Sequence, residues 1–255
     1  MVVKAPQRTA FSSQTLIRLL ARLADARIPE STQSLSERLS QWLDWTDAIA
    51  MSTALAATPA PVSDTQAAIA SDENECSRVR ASLADAIARD SVLAIEKRSR
   101  STHGARREGL VDADEVVDYT VFRHCYLSMQ QAMDASIGKL RERLRRSLAA
   151  KRPALAQLAA VDAVMERALS AREHNLLTAI PDLLNVRFER LRQASQDAAA
   201  AHDDDREGHA ESGNPPAPHD AWLDAFRHEM RSVLLAELSL RFQPVEGLLA
   251  ALRTS

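Results

Sequence analysis

The chain has 255 residues, a formal net charge of −3, and 45% hydrophobic against 26% charged residues. That balance excludes a chain disordered throughout and any global attraction to nucleic acid or anionic lipid, leaving such binding to a local patch. The length suits one large domain or two small ones.

Aromatic residues are only 4%, so a core must be built from Leu, Ala, Val, Ile and Met. Six glycines and ten prolines fall mostly at a few breaks: Pro59 and Pro61, Gly104 and Gly109, Pro153, and Gly208 to Pro218. Between the breaks the chain is rich in Ala, Leu, Arg, Glu and Gln, all good helix formers. The expected fold is all-α: an elongated antiparallel helical bundle with long helices, some kinked by proline.

In chain order, an amphipathic helix is expected from Ser13 to Arg27, with Leu16, Leu20 and Leu23 on one face and Pro29 ending it. Ser34 and Glu37 form a capping box for a second helix running to Ala57, striped by Leu35, Leu39, Trp42, Thr46 and Ile49. Thr58 to Asp64 reads as a linker. A third helix is expected over Asp72 to Ser99, with Val79, Leu83 and Ile87 as a thin apolar face.

The longest segment opens at Asp112 and runs to Lys151. Phe122, Tyr126, Met129, Met133, Ile137, Leu140, Leu144 and Leu148 follow an eleven-residue repeat, about 3.67 residues per turn, which favours a straight helix over a heptad supercoil. Roughly 40 such residues would span roughly 60 Å. Pro153 suits the first turn of the next helix, which carries Leu155 to Leu191 and is kinked by Pro181. His202 to Pro218 is polar, acidic and rich in Gly and Pro, as linkers are. A last helix starts near Asp220 and is bent or restarted by Pro244. The implied organisation is an N-terminal helical subdomain (1–58), a linker (59–71), a long-helix bundle (72–201), a disordered acidic linker (202–218) and a C-terminal helix (219–255) packed back on the bundle.

Lys139, Arg141, Arg143, Arg145, Arg146, Lys151 and Arg152 form a basic run near a helix C-terminus, opposed only by Glu142. It reads either as a contact for phosphate or lipid headgroups or as macrodipole matching. The second accounts also for the acids Asp112, Asp114, Glu115 and Asp118 at the helix start. Lys97 to Arg107 form a second basic cluster at what would be the other end of the rod. His202, Asp203, Asp204, Asp205, Glu207 and His209 resemble metal ligands on paper but have no apolar anchors around them. No metal or cofactor is therefore expected.

His124 and Cys125 are neighbours on a helix, so their side chains diverge by about 100° and form no nucleophile–base pair by themselves. No Gly-rich phosphate loop, E-x-x-H pair or nucleophile elbow is present. Cys76 and Cys125, far apart in sequence, suit reduced thiols. No stretch approaches the roughly 20 apolar residues of a membrane span, and Arg18 and Arg22 interrupt what would be a signal-peptide core.

The strings at Thr15–Ala26 (TLIRLLARLADA), Leu35–Ala50 (LSERLSQWLDWTDAIA), Gln130–Arg145 (QQAMDASIGKLRERLR), Asp162–Ala171 (DAVMERALSA) and Phe242–Leu252 (FQPVEGLLAAL) resemble an uncharacterised proteobacterial family, a domain of unknown function. The resemblance covers most of the chain outside the two linkers and carries over no functional residue. It implies a partner, because the family is associated with genes for MotA/TolQ-like channel subunits and OmpA-like peptidoglycan binders of the envelope.

The combined expectation is a non-enzymatic adaptor, in the cytoplasm or peripheral at the inner membrane, whose exposed helix faces bind a helical partner belonging to an envelope ion-driven motor-like complex, with self-association as a further use of the long stripes. The alternative is a binder of nucleic acid or anionic membrane through the basic run.

Overall fold

A computed structural model describes residues 8–26, 35–56, 66–94, 118–206 and 221–254. Among them every regular element is a helix, in the order α1 (Arg8–Ala24), α2 (Leu35–Trp42), α3 (Trp45–Ala56), α4 (Gln66–Arg89), α5 (Tyr119–Ala149), α6 (Pro153–Leu177), α7 (Ile180–Arg206), α8 (Ala221–Arg241) and α9 (Gln243–Arg253). The fold is an all-α bundle.

The organising element is α5. Its 31 residues span about 46 Å. The expected stripe is its buried face from Phe122 to Leu148, apart from Met129, which is only partly buried beside it. The helix begins later than the expected Asp112: Asp118 is the N-cap, its side chain accepting the Thr120 amide at 3.0 Å. Residues 112–117, with three of the four acids expected at this helix start, lie outside the described residues.

Around α5 pack α4, α6, α7, α8 and α9. α4 runs antiparallel to it, since Arg143 reaches Asp72 at one end and Cys125 reaches Asp90 at the other. α6 and α7 together follow α5 in the reverse direction, with Arg141 against Asp162, Gln130 against the Leu177 carbonyl and Tyr119 against the Pro181 carbonyl. Rings from three helices close one end of the core: Phe188 lies 5.6 Å from Tyr119, 5.8 Å from Phe122, 5.2 Å from Trp222 and 5.1 Å from Phe226. Two of these pairs, Phe188–Trp222 and Phe188–Phe226, are edge-to-face, an arrangement aromatic quadrupoles favour.

Several expected boundaries move, each for a local reason. α1 ends at Ala24 rather than Arg27, ahead of Pro29. Asp25 adopts φ 52, while the Ala26 amide bonds the Ala21 carbonyl and the Asp25 amide bonds the Arg22 carbonyl. That is a Schellman cap built on Asp instead of Gly. α1 docks on α8 and α7.

The expected single helix from Ser34 to Ala57 is two. The Asp44 carboxylate accepts the Asp47 amide at 2.8 Å and the Asp47 carboxylate accepts the Asp44 amide at 3.2 Å. This reciprocal box starts a new helix inside the apolar stripe; Ser34 itself lies outside the described residues.

α4 starts at Gln66, inside the expected linker, because Gln66-Ala-Ala-Ile-Ala is good helix sequence. It stops at Arg89 rather than Ser99. The Asp90 side chain takes the Val92 and Leu93 amides, turning Leu93 into the core, where it is fully buried. From α8, Arg227 and Arg231 donate to the Val92 and Leu93 carbonyls and hold this turn in place.

Pro153 occupies the first turn of α6 as expected. At Pro181 the run is bent as expected: α6 ends at Leu177, and after residues 178–179 α7 starts at Ile180 with Pro181 in its first turn. α7 then continues to Arg206, into the expected acidic linker. Pro244 restarts the chain as α9. Ion pairs tie α9 to α4 (Arg80–Glu246 and Arg253–Glu73) and α7 to α8 (Arg187–Glu229).

Candidate docking face

α6 is the clue to what lies outside the bundle. Apolar residues surround it instead of forming one stripe, and most are only partly buried: Leu155, Val161, Met165 and Leu169. An all-round apolar helix needs cover on two sides. One side faces α5 and the other faces α3. α2 and α3 form an outer layer antiparallel to α6: Gln157 donates to the Leu55 carbonyl at 3.1 Å near one end, and Arg172 sits over the Trp42 ring at 5.3 Å near the other. Trp42 is thus a partly buried anchor for this layer.

α3 (WTDAIAMSTALA) is apolar around most of its circumference, yet only Ala54 is buried. At 100° per residue, Ala54, Asp47, Ala50 and Met51 turn toward α6. Trp45, Ile49, Ser52 and Ala56 line the opposite side, flanked by Ala48 and Leu55. Trp45 is 79% exposed, Ile49 51% and Leu55 57%. The one charged side chain of α3, Asp47, is half-buried and engaged at the cap. A solvent-facing helix surface without a charge, carrying a tryptophan, is unlike an ordinary outer face.

The basic run is spread around α5 rather than gathered. Arg141 and Arg145 pair with Asp162 and Glu166 of α6; Arg141 meets Asp162 at 2.6 Å and Arg145 meets it at 2.7 Å. Burial alone would raise the Asp162 carboxyl, but hydrogen bonds from Arg141 and Arg145 hold it below the ordinary carboxylate range. Arg143 points the other way, to the buried Asp72 of α4 at 2.8 Å. Lys151 donates to the Leu252 carbonyl at 3.2 Å. Lys139, Arg146 and Arg152 are exposed, and Lys139 and Arg146 share the outer face of α5 with Glu142. Interhelical ion pairing, a use the sequence reasoning did not weigh, therefore accounts for the central arginines.

The groups the sequence left as unlikely chemistry do meet in one place. Asp90, Val92, Thr120, Val121, His124, Cys125, Ser128 and Met129 line an open groove of about 470 Å³. Within it the Cys125 thiol donates to Asp90 at 3.4 Å. Burial and then the Asp90 carboxylate push that thiol up to about 12, the reverse of what a nucleophile needs. Cys76 is likewise buried and pushed up to about 11, by burial first and Asp72 second. The acidic and histidine cluster at 202–209 lies outside the residues whose side chains are described. Among the described residues no group of three His, Cys, Asp or Glu gathers as metal ligands do, and no helix is long and apolar enough to cross a membrane.

One polar cluster was missed from sequence altogether. Glu237 of α8 is fully buried and accepts from Tyr126 at 2.5 Å, Gln130 at 3.0 Å and Arg241 at 2.8 Å, while Arg241 also reaches Asp134. Its signal was available: Glu237 continues the Met230–Val233–Leu234 face, and Gln130 continues the Tyr126–Met133 face.

The family model described as "Protein of unknown function (DUF3348)" matches residues 2–254. The chain belongs to this family. Membership of DUF3348 spans the α3 layer and the α5-centred bundle alike, so both are parts of one family unit. No curated protein and no solved structure matches the chain.

Proposed function

We propose that this DUF3348 chain is a non-enzymatic adaptor that docks a helix of another protein chain on the outer face of α3. The uncharged, exposed stripe of Trp45, Ile49, Ser52 and Ala56 carries the reading. The α5 bundle is the rigid support, and α6, apolar on two sides, couples the docking layer to it. A partner helix would supply the cover that α3 lacks among the described residues, by the helix-in-groove mode. The finer form of the proposal places the adaptor in the cytoplasm beside the inner membrane, with the partner helix belonging to a MotA/TolQ-like or OmpA-like envelope protein. In the groove at Cys125, burial and then Asp90 push the thiol up, which argues against that thiol as a nucleophile.

The alternative, binding of nucleic acid or anionic membrane, has less support. Such binding needs cations free to meet phosphates, whereas Arg141, Arg143 and Arg145 are engaged with carboxylates of the bundle.

The test is a photo-crosslinking residue placed in the native bacterium at position 49, with position 189 on exposed α7 surface as control. The adaptor reading expects an adduct from position 49 alone, mapped by mass spectrometry to a helix of another chain. Equal labelling from both positions, or none from 49, would sink it.

A further inference from the structure

Resting on the reading of α3 as a docking face, we infer that in the isolated protein this face is occupied by α3 of a second copy, packed antiparallel about a two-fold axis near residues 50 and 51. The argument is self-complementarity. A two-fold contact brings residue i against j and j against i. About this axis Trp45 of each copy falls over Ala56 of the other, and Ile49 over Ser52. Ala48 and Leu55 lie on one shared flank, where small again faces large. Each bulky side chain thus meets a small one, which lets two helices approach closely; parallel pairing would set Trp45 against Trp45.

Charge selects the same arrangement. The stripe has no charge to desolvate, so an uncharged partner surface fits it. The acidic end of α3, with Asp44 and Asp47, lies at opposite ends of the pair when the helices are antiparallel. Twelve residues span about 18 Å, beyond the Debye length of about 8 Å at physiological salt. Parallel pairing would place those acids side by side. The helix macrodipoles also oppose favourably in the antiparallel pair. A twelve-residue helix presents less than the roughly 800 Å² per partner of a standard interface. The dimer is accordingly reversible, and a heterologous helix can displace the second copy from the same face.

The experiment is sedimentation of the full chain across a range of concentrations, with Ile49→Lys beside it and Val186→Lys as an exposed control on α7. Wild type and Val186→Lys are expected to shift from 28.0 kDa toward twice that mass as concentration rises. Ile49→Lys is expected to remain monomeric with an unchanged far-ultraviolet circular dichroism spectrum. Register is read separately by mixing Ile49→Cys and Ser52→Cys proteins under oxidation. A mixed disulfide is expected to form several-fold faster than either symmetric one. Wild type that stays monomeric at every concentration overturns the inference, as does Ile49→Lys that dimerises normally. Faster Ile49→Cys self-linkage would overturn the antiparallel register. A monomer that still crosslinks another protein from position 49 in the cell defeats only the second-copy assignment; a monomer that crosslinks nothing defeats the docking reading too.

Discussion

Replacing Glu237 by leucine strands a cation inside the bundle. Glu237 is fully buried and the Arg241 side chain is only 9% exposed. The Arg241 guanidinium would keep Asp134 as its carboxylate partner, and Asp134 is 55% exposed, so water screens that pair. Breaking a buried pair from one side costs about 3–5 kcal/mol. The upper end applies here, because the buried Tyr126 hydroxyl also loses its acceptor, a loss of about 1–3 kcal/mol when a group is left unsatisfied. Gln130 is buffered, since it keeps the Leu177 carbonyl at 3.2 Å. Glu237→Gln retains an acceptor and should cost less than Glu237→Leu. Adding Arg241→Leu to Glu237→Leu removes the stranded charge, so the double variant should be more stable than the sum of the two single losses by about 1–3 kcal/mol. Urea unfolding followed at the helical circular dichroism band reads the wild type and all four variants. A loss under about 1 kcal/mol in Glu237→Leu, below the range for a broken buried pair, would refute the reasoning, and so would strictly additive single losses.

Gly138 and Gly247 lie inside α5 and α9, and a Cβ at either would meet nothing within 4 Å. Alanine at each site should raise stability by up to about 1 kcal/mol, read as a higher urea midpoint with the same slope; a lower midpoint would show a hidden constraint. The two cysteines predict alkaline sensitivity. Their folded values, about 11 for Cys76 and about 12 for Cys125, lie above the roughly 8.5 of a free thiol. Their contribution to stability is therefore complete below about pH 8.5 and is lost as pH rises through the folded values. The urea midpoint should fall above about pH 9, and Cys76→Ala/Cys125→Ala should flatten that fall, with buried Tyr126 adding a residual slope of the same sign. Native protein whose thiols are alkylated as fast as free cysteine near pH 8 would contradict this.

The bundle was legible because its strongest signals are periodic and punctuated. On α5 the buried face follows one period from Phe122 to Leu148 except at the step where Gln130 rather than Met129 turns inward, so nearly all of it could be found without tertiary knowledge. Pro153 and Pro244 mark helix starts because a proline tolerates the first turn. The docking face was illegible for the opposite reason. Apolar residues surround α3, so periodicity cannot say which side is covered, and the stripe Leu35–Trp42–Ile49 runs straight through the Asp44 cap as though no break existed. Asp44 and Asp47 themselves spell the box; a carboxylate three residues ahead of another, where the stripe passes Trp45, was the readable cue. The Glu237 cluster was passed over because polar residues on an apolar face look like pattern errors until a partner helix supplies matching polar atoms. The second partner is legible only as a spacing: Gln130 follows Tyr126 by four, and Arg241 follows Glu237 by four.

A spacing of the same kind changes how the basic run must be tested. Arg141 and Arg145 are four apart on α5, and Asp162 and Glu166 are four apart on α6. On antiparallel helices two such pairs can mesh as a quartet, and they do. Arg141→Glu with Arg145→Glu would set four acids at 13–34% side-chain exposure against one another. The loss should reach about 3 kcal/mol or more, the scale of a broken, largely buried pair. Lost nucleic-acid or lipid binding in that variant would then report a damaged bundle. Lys139→Glu with Arg146→Glu changes charge on the outer face of α5 and should leave stability within about 0.5 kcal/mol, as surface substitutions do. A basic-surface function predicts that this second variant loses salt-sensitive binding while staying folded; the adaptor reading predicts no effect on the crosslink from position 49. If the Arg141/Arg145 variant proved as stable as wild type, the ion-pair quartet would contribute nothing, and the arginines would again be open to a functional reading.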